Sequence, residues 1–162
     1  MVRGQVASLS VAVAIISVMM FFIFRSFTLG LLSLIPNTFP ILMNFGIMGL
    51  LGIPLNTATA LISAVAIGIA VDDTIHFLHQ YREERREGRD RNEAIQRSIR
   101  VKGHAIVTTS VILATGFGVL LFSSFTPTIQ FGALTSLIMV SALAGDLLLL
   151  PAILGLKAKF IP

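Results

Sequence analysis

The spacing of charged residues constrains this chain more than any other feature. Charged side chains make up 12% of the 162 residues, whereas soluble domains contain about a quarter. Residues 4–24, 26–71 and 103–145 contain no Asp, Glu, Lys or Arg. Because about 20 apolar residues in a helix cross the hydrocarbon core of a bilayer, the sequence predicts a chain whose solvent is lipid.

The uncharged stretches divide into five candidate spans. The two longer stretches exceed one crossing, and each contains a break with turn-forming residues, at 52–56 and at 123–127. We therefore predict an all-α membrane protein in which residues 1–162 form a single transmembrane domain, a bundle of five helices. The predicted spans are residues 5–24, 28–51, 57–79, 103–122 and 128–154.

The basic residues predict the orientation of this bundle. Five spans place the loop 81–102, Arg25 and the C-terminal tail on one side, with eleven of the twelve Lys and Arg residues, and Arg3 on the other. The positive-inside rule makes the basic side cytoplasmic. We therefore expect a multi-pass protein of the cytoplasmic (inner) membrane, with the N terminus outside and the C terminus in the cytoplasm. The basic charge then contacts anionic lipid headgroups, and no nucleic-acid partner is expected.

The basic loop contains a helix signal of its own. Asp90 followed by Glu93 fits a capping box, and Ala94, Ile95 and Ile99 then fall on one helical face. This pattern predicts a short helix on the cytoplasmic membrane surface, separated from the third span by Gly88. A solvated, charged connector is the alternative.

Three carboxylates fall inside the predicted spans: Asp72, Asp73 and Asp146. An ionisable group within a bilayer costs about 3 kcal/mol on insertion scales, so such residues indicate function. The helical rise places further polar residues at a similar depth. With Asp146 they form the predicted supporting polar layer around Asp72 and Asp73, and they are Asn37, Thr108 and Thr109.

The third span arranges its polar residues on one face. Gly68, Asp72 and His76 are four residues apart, and Gly68 leaves room for a neighbouring helix. Two adjacent carboxylates in a low dielectric do not both ionise easily, so Asp72 and Asp73 suit a proton relay, with His76 passing the proton toward the cytoplasm. We expect Asp72 or Asp73 to lie within about 4 Å of Thr108 or Thr109.

Other uses of these residues are weighed against the relay. The carboxylates could form a structural pair satisfied by hydroxyl groups and His76, and the spacing of Asp72, His76 and His79 would allow a metal ion. The chain has no cysteine and no serine–histidine–acid triad, P-loop or dinucleotide fingerprint. Nothing in the sequence therefore indicates covalent catalysis, and we predict no enzyme activity, no cofactor and no metal.

These residues resemble a known family. The run from Gly68 through Asp72, Asp73 and His76 resembles the GxxxD or GxxxDD motif of resistance-nodulation-division (RND) transporters. The run through Arg82 looks like the MMPL branch, as do Thr108-Thr109-Ser110 and Leu150-Pro151-Ala152. The resemblance implies the last five helices of one half of a two-fold-repeat, proton-coupled exporter of lipids or other hydrophobic substrates. Its partners would be the remaining half and the extracytoplasmic domain, and a homo-oligomer stays open.

Two relatives of that family leave alternatives. Sterol-sensing domains share the five-helix layout and serve as lipid-binding regulators. The Sec-type export subunits SecD and SecF have a similar module but usually continue the first Asp with Ala-Asn. The Asp72-Asp73 pair favours the proton-driven exporter.

The five-span topology predicts which face of the membrane each loop occupies. The native chain has no cysteine, so single cysteines at Gly88 and Ser124 can be labelled without background. An impermeant thiol reagent should label Gly88→Cys from the cytoplasm and Ser124→Cys from outside. Labelling of both cysteines from the same side would contradict five spans.

Overall fold

The computed structural model of the chain describes residues 2–54 and 57–156. Within these residues the fold is all helical and contains no strand, as predicted. The α5 helix continues through a π-helical turn (Gly145–Leu149) into the short α6 (Leu150–Leu156). The five long helices are α1 (Val2–Phe24), α2 (Phe27–Leu50), α3 (Thr57–Arg86), α4 (Arg91–Gly118) and α5 (Thr126–Ala144).

The helices end at the predicted breaks. Gly52 follows α2 with a φ of +66°, in the left-handed region that glycine tolerates. A 3-10 turn (Val119–Phe122) closes α4, and α5 begins at Thr126. Leu55 and Asn56 of the first break, and Lys157 and Lys159 of the basic tail, lie outside the described residues.

Among the described residues, three helices are long and apolar enough to cross a membrane. They are Leu29–Leu50, Arg91–Phe122 and Thr126–Leu156. The described apolar part of α1, Ser10–Phe24, is shorter. The α3 helix is 30 residues long and contains Asp72 and Asp73 in its apolar part.

The loop helix begins where the sequence predicts, but it is not a separate element. Gly88 adopts a φ of +83° and turns the chain after α3. The Asp90 carboxylate accepts a hydrogen bond from the Asn92 amide and caps α4. From Arg91 the helix continues without a break into the fourth span. Of the three apolar residues predicted to share a face, Ala94 and Ile95 are buried and Ile99 is exposed, so the amphipathic segment is the first part of α4.

Ion pairs hold the C-terminal end of α3 and the N-terminal end of α4 together. The guanidinium of Arg89 binds both Glu84, which is buried, and Glu87. Glu93 lies 3.9 Å from Arg89 and 3.8 Å from Arg97, so it forms ion pairs within this cluster. Interleaved charges of both signs let the sharp turn between the helices form without a net repulsion.

Two apolar clusters form the core of the described bundle. The larger one joins α1, α2, α3, α4 and α6 at the end that bears the basic loop. The smaller one joins α2, α3 and α5 at the other end and consists of Met48, Ile62, Leu134, Ile138 and Met139. The polar residues described below lie, along each helix, between members of the two clusters.

Two glycines permit close backbone contacts. A Cβ atom at Gly132 of α5 would lie 2.6 Å from the Phe117 carbonyl oxygen and from the Leu120 Cβ. A Cβ atom at Gly145 would lie 3.0 Å from the Pro36 carbonyl oxygen. Small residues at such crossings are how membrane helices approach closely, so Gly132 sets the α4–α5 contact and Gly145 sets the contact of the π turn with α2.

We expect Gly132→Ala to destabilise the bundle by about 1–3 kcal/mol, because the new methyl group overlaps backbone that cannot move aside. Gly46→Ala is the matched control, since nothing lies within 4 Å of a Cβ at that position and alanine favours a helix by about 0.5–1 kcal/mol. Thermal unfolding in detergent, followed by circular dichroism, measures both. Equal midpoints for the two variants would contradict the close contact.

Candidate functional site

A buried polar cluster connects three helical elements, and its members are Asn37 of α2, Thr74 of α3 and Asp146 of the π turn. The Thr74 Oγ1 lies 2.5 Å from Asp146 Oδ1 and 3.3 Å from Asn37 Oδ1. Asp146 is 1% exposed, and the other two side chains are also buried. A single hydroxyl group thus joins an amide and a carboxyl group from two other helices.

The amide of Asn37 is itself oriented by α2. Its Nδ2 donates a 2.7 Å hydrogen bond to the Ser33 carbonyl oxygen. The Asn37 Oδ1 therefore points toward Thr74. At the other end of the cluster, Asp146 Oδ2 has no hydrogen-bond partner among the described residues.

The local sequence explains how Asp146 reaches this position. Gly145 lets the π turn approach the Pro36 carbonyl oxygen, and Pro40 removes the amide that this carbonyl would bind in a regular helix. Pro151 follows the π turn and lacks an amide proton as well. Single π turns inside α-helices occur often at functional sites, and this one places a carboxylate at the helix crossing.

The predicted relay residues of α3 lie on a different surface. Asp72 and His76 share one face, as expected, with His76 Nε2 3.5 Å from Asp72 Oδ1. Their side chains are 72% and 61% exposed, and Asp73 is half-buried. Gly68 is exposed too, and a Cβ atom there would meet no described neighbour within 4 Å. Within the described bundle, therefore, this face is directed outward.

The structure does not make the expected bond between the acidic pair and α4. The Thr108 hydroxyl donates to the His104 carbonyl, and the Thr109 Oγ1 lies 3.0 Å from the carbonyl oxygens of both Ala105 and Ile106, either of which can accept its proton. Both threonines are exposed. Threonine in a membrane helix satisfies its hydroxyl on the preceding turn in this way, so Thr108 and Thr109 do not contribute a hydroxyl to the buried polar cluster.

Thr74 is the residue that sequence reasoning missed. It directly follows the acidic pair, and one helical residue of rotation turns it from the exposed face into the bundle. A hydroxyl beside two carboxylates in an otherwise apolar helix was the available signal. Asn44 and Thr135 were missed as well; both are buried among the residues of the smaller apolar cluster, and Asn44 Oδ1 and Thr135 Oγ1 have no described partner.

The described residues contain no preformed metal site. No group of three or more His, Asp or Glu side chains there is placed to hold one. The chemistry that the arrangement does offer is proton binding, since carboxyl, hydroxyl and amide groups form a continuous hydrogen-bonded chain.

A helical bundle with long apolar helices defines the class of the protein as a multi-helix membrane protein. Comparison with known proteins gives the family. The MMPL family profile matches residues 3–162, so the chain belongs to the MMPL family, as the resemblance to RND transporters implied.

Individual relatives agree with this assignment. A membrane protein of Methanocaldococcus jannaschii is 30% identical over 95% of this chain and 40% of its own length. The trehalose monomycolate exporter MmpL3 of Mycobacterium tuberculosis is 30% identical over 93% of this chain and 16% of its own length. The chain thus spans less than half the length of these relatives.

Removal of the Thr74 hydroxyl should destabilise the bundle. We expect Thr74→Val to cost about 1–3 kcal/mol, because it leaves the buried Asp146 and Asn37 oxygens without their shared partner. Thr74→Ser retains the hydroxyl and should unfold close to the native protein. Thr115→Val, at an exposed threonine bonded to its own helix, is the control. A Thr74→Val protein as stable as this control would contradict the bond.

Proposed function

We propose that the chain is a proton-coupled export module of the RND/MMPL type. Asp72 and Asp73 exchange the proton, and His76 connects them to the cytoplasm. Asn37 and Asp146 form the supporting layer inside the bundle, while Thr108 and Thr109 line the outer surface. A secondary active transporter, not an enzyme, is the function that these groups support.

The observation that carries the proposal is the exposed acidic face of α3. Asp72 lies on a helix of a membrane protein with most of its side chain uncovered by the other four helices. Contact of a carboxylate with lipid hydrocarbon is costly, and such groups face protein or a water-filled cavity. The α3 face therefore needs a covering structure that provides water or polar partners, as a proton pathway requires.

The remaining half of a two-fold-repeat transporter is the covering structure that we propose. Family membership and the short share of the relatives' length that this chain spans support it. Gly68 belongs to the same face and would let a facing helix approach closely. In this arrangement the N terminus is outside, the C terminus is cytoplasmic, and the extracytoplasmic domain belongs to the rest of the transporter.

The substrate class that we propose is a lipid or another hydrophobic molecule. The support comes from the relatives, since MmpL3 of Mycobacterium tuberculosis is named as an exporter of trehalose monomycolate, a glycolipid. The outer surfaces of the described helices are strongly apolar, which suits a substrate that moves in or along the membrane.

The acidic pair should be essential for coupling. We expect Asp72→Asn and Asp73→Asn, each made in the protein as its gene encodes it, to abolish proton-dependent export, because asparagine keeps the shape and cannot exchange a proton. Movement of a fluorescent lipid into the lumen of inverted membrane vesicles, with and without a proton gradient, measures this.

Glu83→Gln is the matched control. Glu83 is an exposed carboxylate of the same helix, outside the predicted span, and its variant should export normally. Normal gradient-dependent export by both aspartate variants would contradict the relay assignment, whereas absence of gradient-dependent export by the native protein would favour the lipid-binding regulator.

A further inference from the structure

If Asp146 were ionised, the buried polar cluster would contain more hydrogen-bond acceptors around the Thr74 hydroxyl than donors. Thr74 has one hydroxyl proton, and two oxygens lie within hydrogen-bonding distance of its Oγ1: Asp146 Oδ1 at 2.5 Å and Asn37 Oδ1 at 3.3 Å. One proton can point at one oxygen at a time. If Asp146 Oδ1 and Asn37 Oδ1 were both acceptors only, one of them would face a lone pair of Thr74 Oγ1 and make no hydrogen bond.

The Asn37 amide cannot be reversed to remove this conflict. With its Nδ2 toward Thr74, its Oδ1 would lie at the 2.7 Å distance from the Ser33 carbonyl oxygen that the Nδ2 donor now occupies. Two carbonyl oxygens at that distance repel each other, and amide orientation is assigned by this kind of network. The Asn37 Oδ1 is therefore an acceptor, and both oxygens beside Thr74 are satisfied at once when Thr74 donates to Asn37 and Asp146 donates to Thr74.

From this geometry we infer that Asp146 is a second proton-carrying group of the module, with Thr74 and Asn37 as its positioning residues. The inference rests on the proposed function for its role in transport. The Asp146 carboxylic acid donates to Thr74, Thr74 donates to Asn37, and Asn37 donates to the Ser33 carbonyl. Each proton in this chain points in the same direction, and every donor has an acceptor.

The free oxygen of Asp146 supports the neutral form independently. Asp146 Oδ2 has no partner in the described part of the chain, and the residue is 1% exposed. A buried charged oxygen without a partner costs more free energy than a buried neutral carbonyl without one. The neutral acid is thus the form that this pocket accepts.

The groups around the π turn add few charges that could pair with Asp146. The α2, α5 and α6 helices pack against it and contain no ionisable residue. The α3 helix contributes the like charge of Asp73, with Asp72 and His76 on its outer face. The α4 helix reaches the turn at Gly103, whose neighbours are Lys102 and His104.

Loss of the proton would change which helices are joined. The Asp146 O–H bond breaks and the proton leaves on a water molecule. The Thr74 hydroxyl then turns to the carboxylate, and the Asn37 Oδ1 loses its donor. The hydrogen bond between α3 and the π turn is retained, while the hydrogen bond between α3 and α2 is lost. The protonation state of Asp146 is thereby converted into a change in the packing of α2.

Infrared difference spectroscopy of the purified, complete gene product in lipid nanodiscs tests the inference without a transport assay. At neutral pH the native protein should show a carboxylic-acid C=O band that disappears in Asp146→Asn. In Asn37→Leu the Thr74 proton is free to stabilise the carboxylate, so this band should be lost at neutral pH and return on acidification. Thr38→Val, at an exposed neighbouring hydroxyl bonded to Leu34, should leave the band unchanged.

A second variant keeps the test decisive if Asn37→Leu does not fold. In Thr74→Val the acid has no acceptor, so its band should shift to higher frequency and stay present. A native spectrum without an Asp146-dependent acid band overturns the inference, as does an unchanged band in Thr74→Val. Because export by Asp72→Asn and Asp73→Asn is measured separately, failure of the proposed function and failure of this inference give different results.

Discussion

The hydrogen bond between Thr74 and Asp146 is the interaction on which the arrangement of the bundle depends. A carboxyl group that is 1% exposed in a membrane protein must have a polar partner, and Thr74 provides it across a helix crossing. Asn37 then joins the same hydroxyl from α2. The positions of α2, α3 and the π turn are therefore coupled through one side chain. The contacts within the two apolar clusters have no preferred direction, so they do not fix these positions in the same way.

The chain uses its carboxylates in two environments. Asp146 is enclosed by its own bundle, whereas Asp72 is directed outward with His76. The first environment favours a neutral acid with defined hydrogen bonds, and the second needs a facing structure to supply water or polar groups. Adjacent residues of α3, the half-buried Asp73 and the buried Thr74, lie at the boundary between the two environments.

The backbone makes this arrangement possible through local departures from a regular helix. Gly145 allows the π turn to contact the Pro36 carbonyl oxygen, and Pro40 and Pro151 remove amides on either side of that contact. A regular helix in place of the π turn would rotate Asp146 relative to the residues before it. The glycine and prolines are thus part of the site, although none of them carries a reactive group.

The sequence by itself determined the helical class, the breaks and the loop cap. Uncharged stretches, Gly52 and Asp90 act through local rules of hydropathy, turn geometry and capping, and those rules do not need tertiary contacts. Periodicity also showed that Asp72 and His76 share a face. Only the tertiary structure decided that this face is directed outward and that Thr74 is the partner of Asp146. Which face of a helix is buried depends on the rotation of its neighbours, and a π turn changes that rotation without a clear signal in the residue pattern.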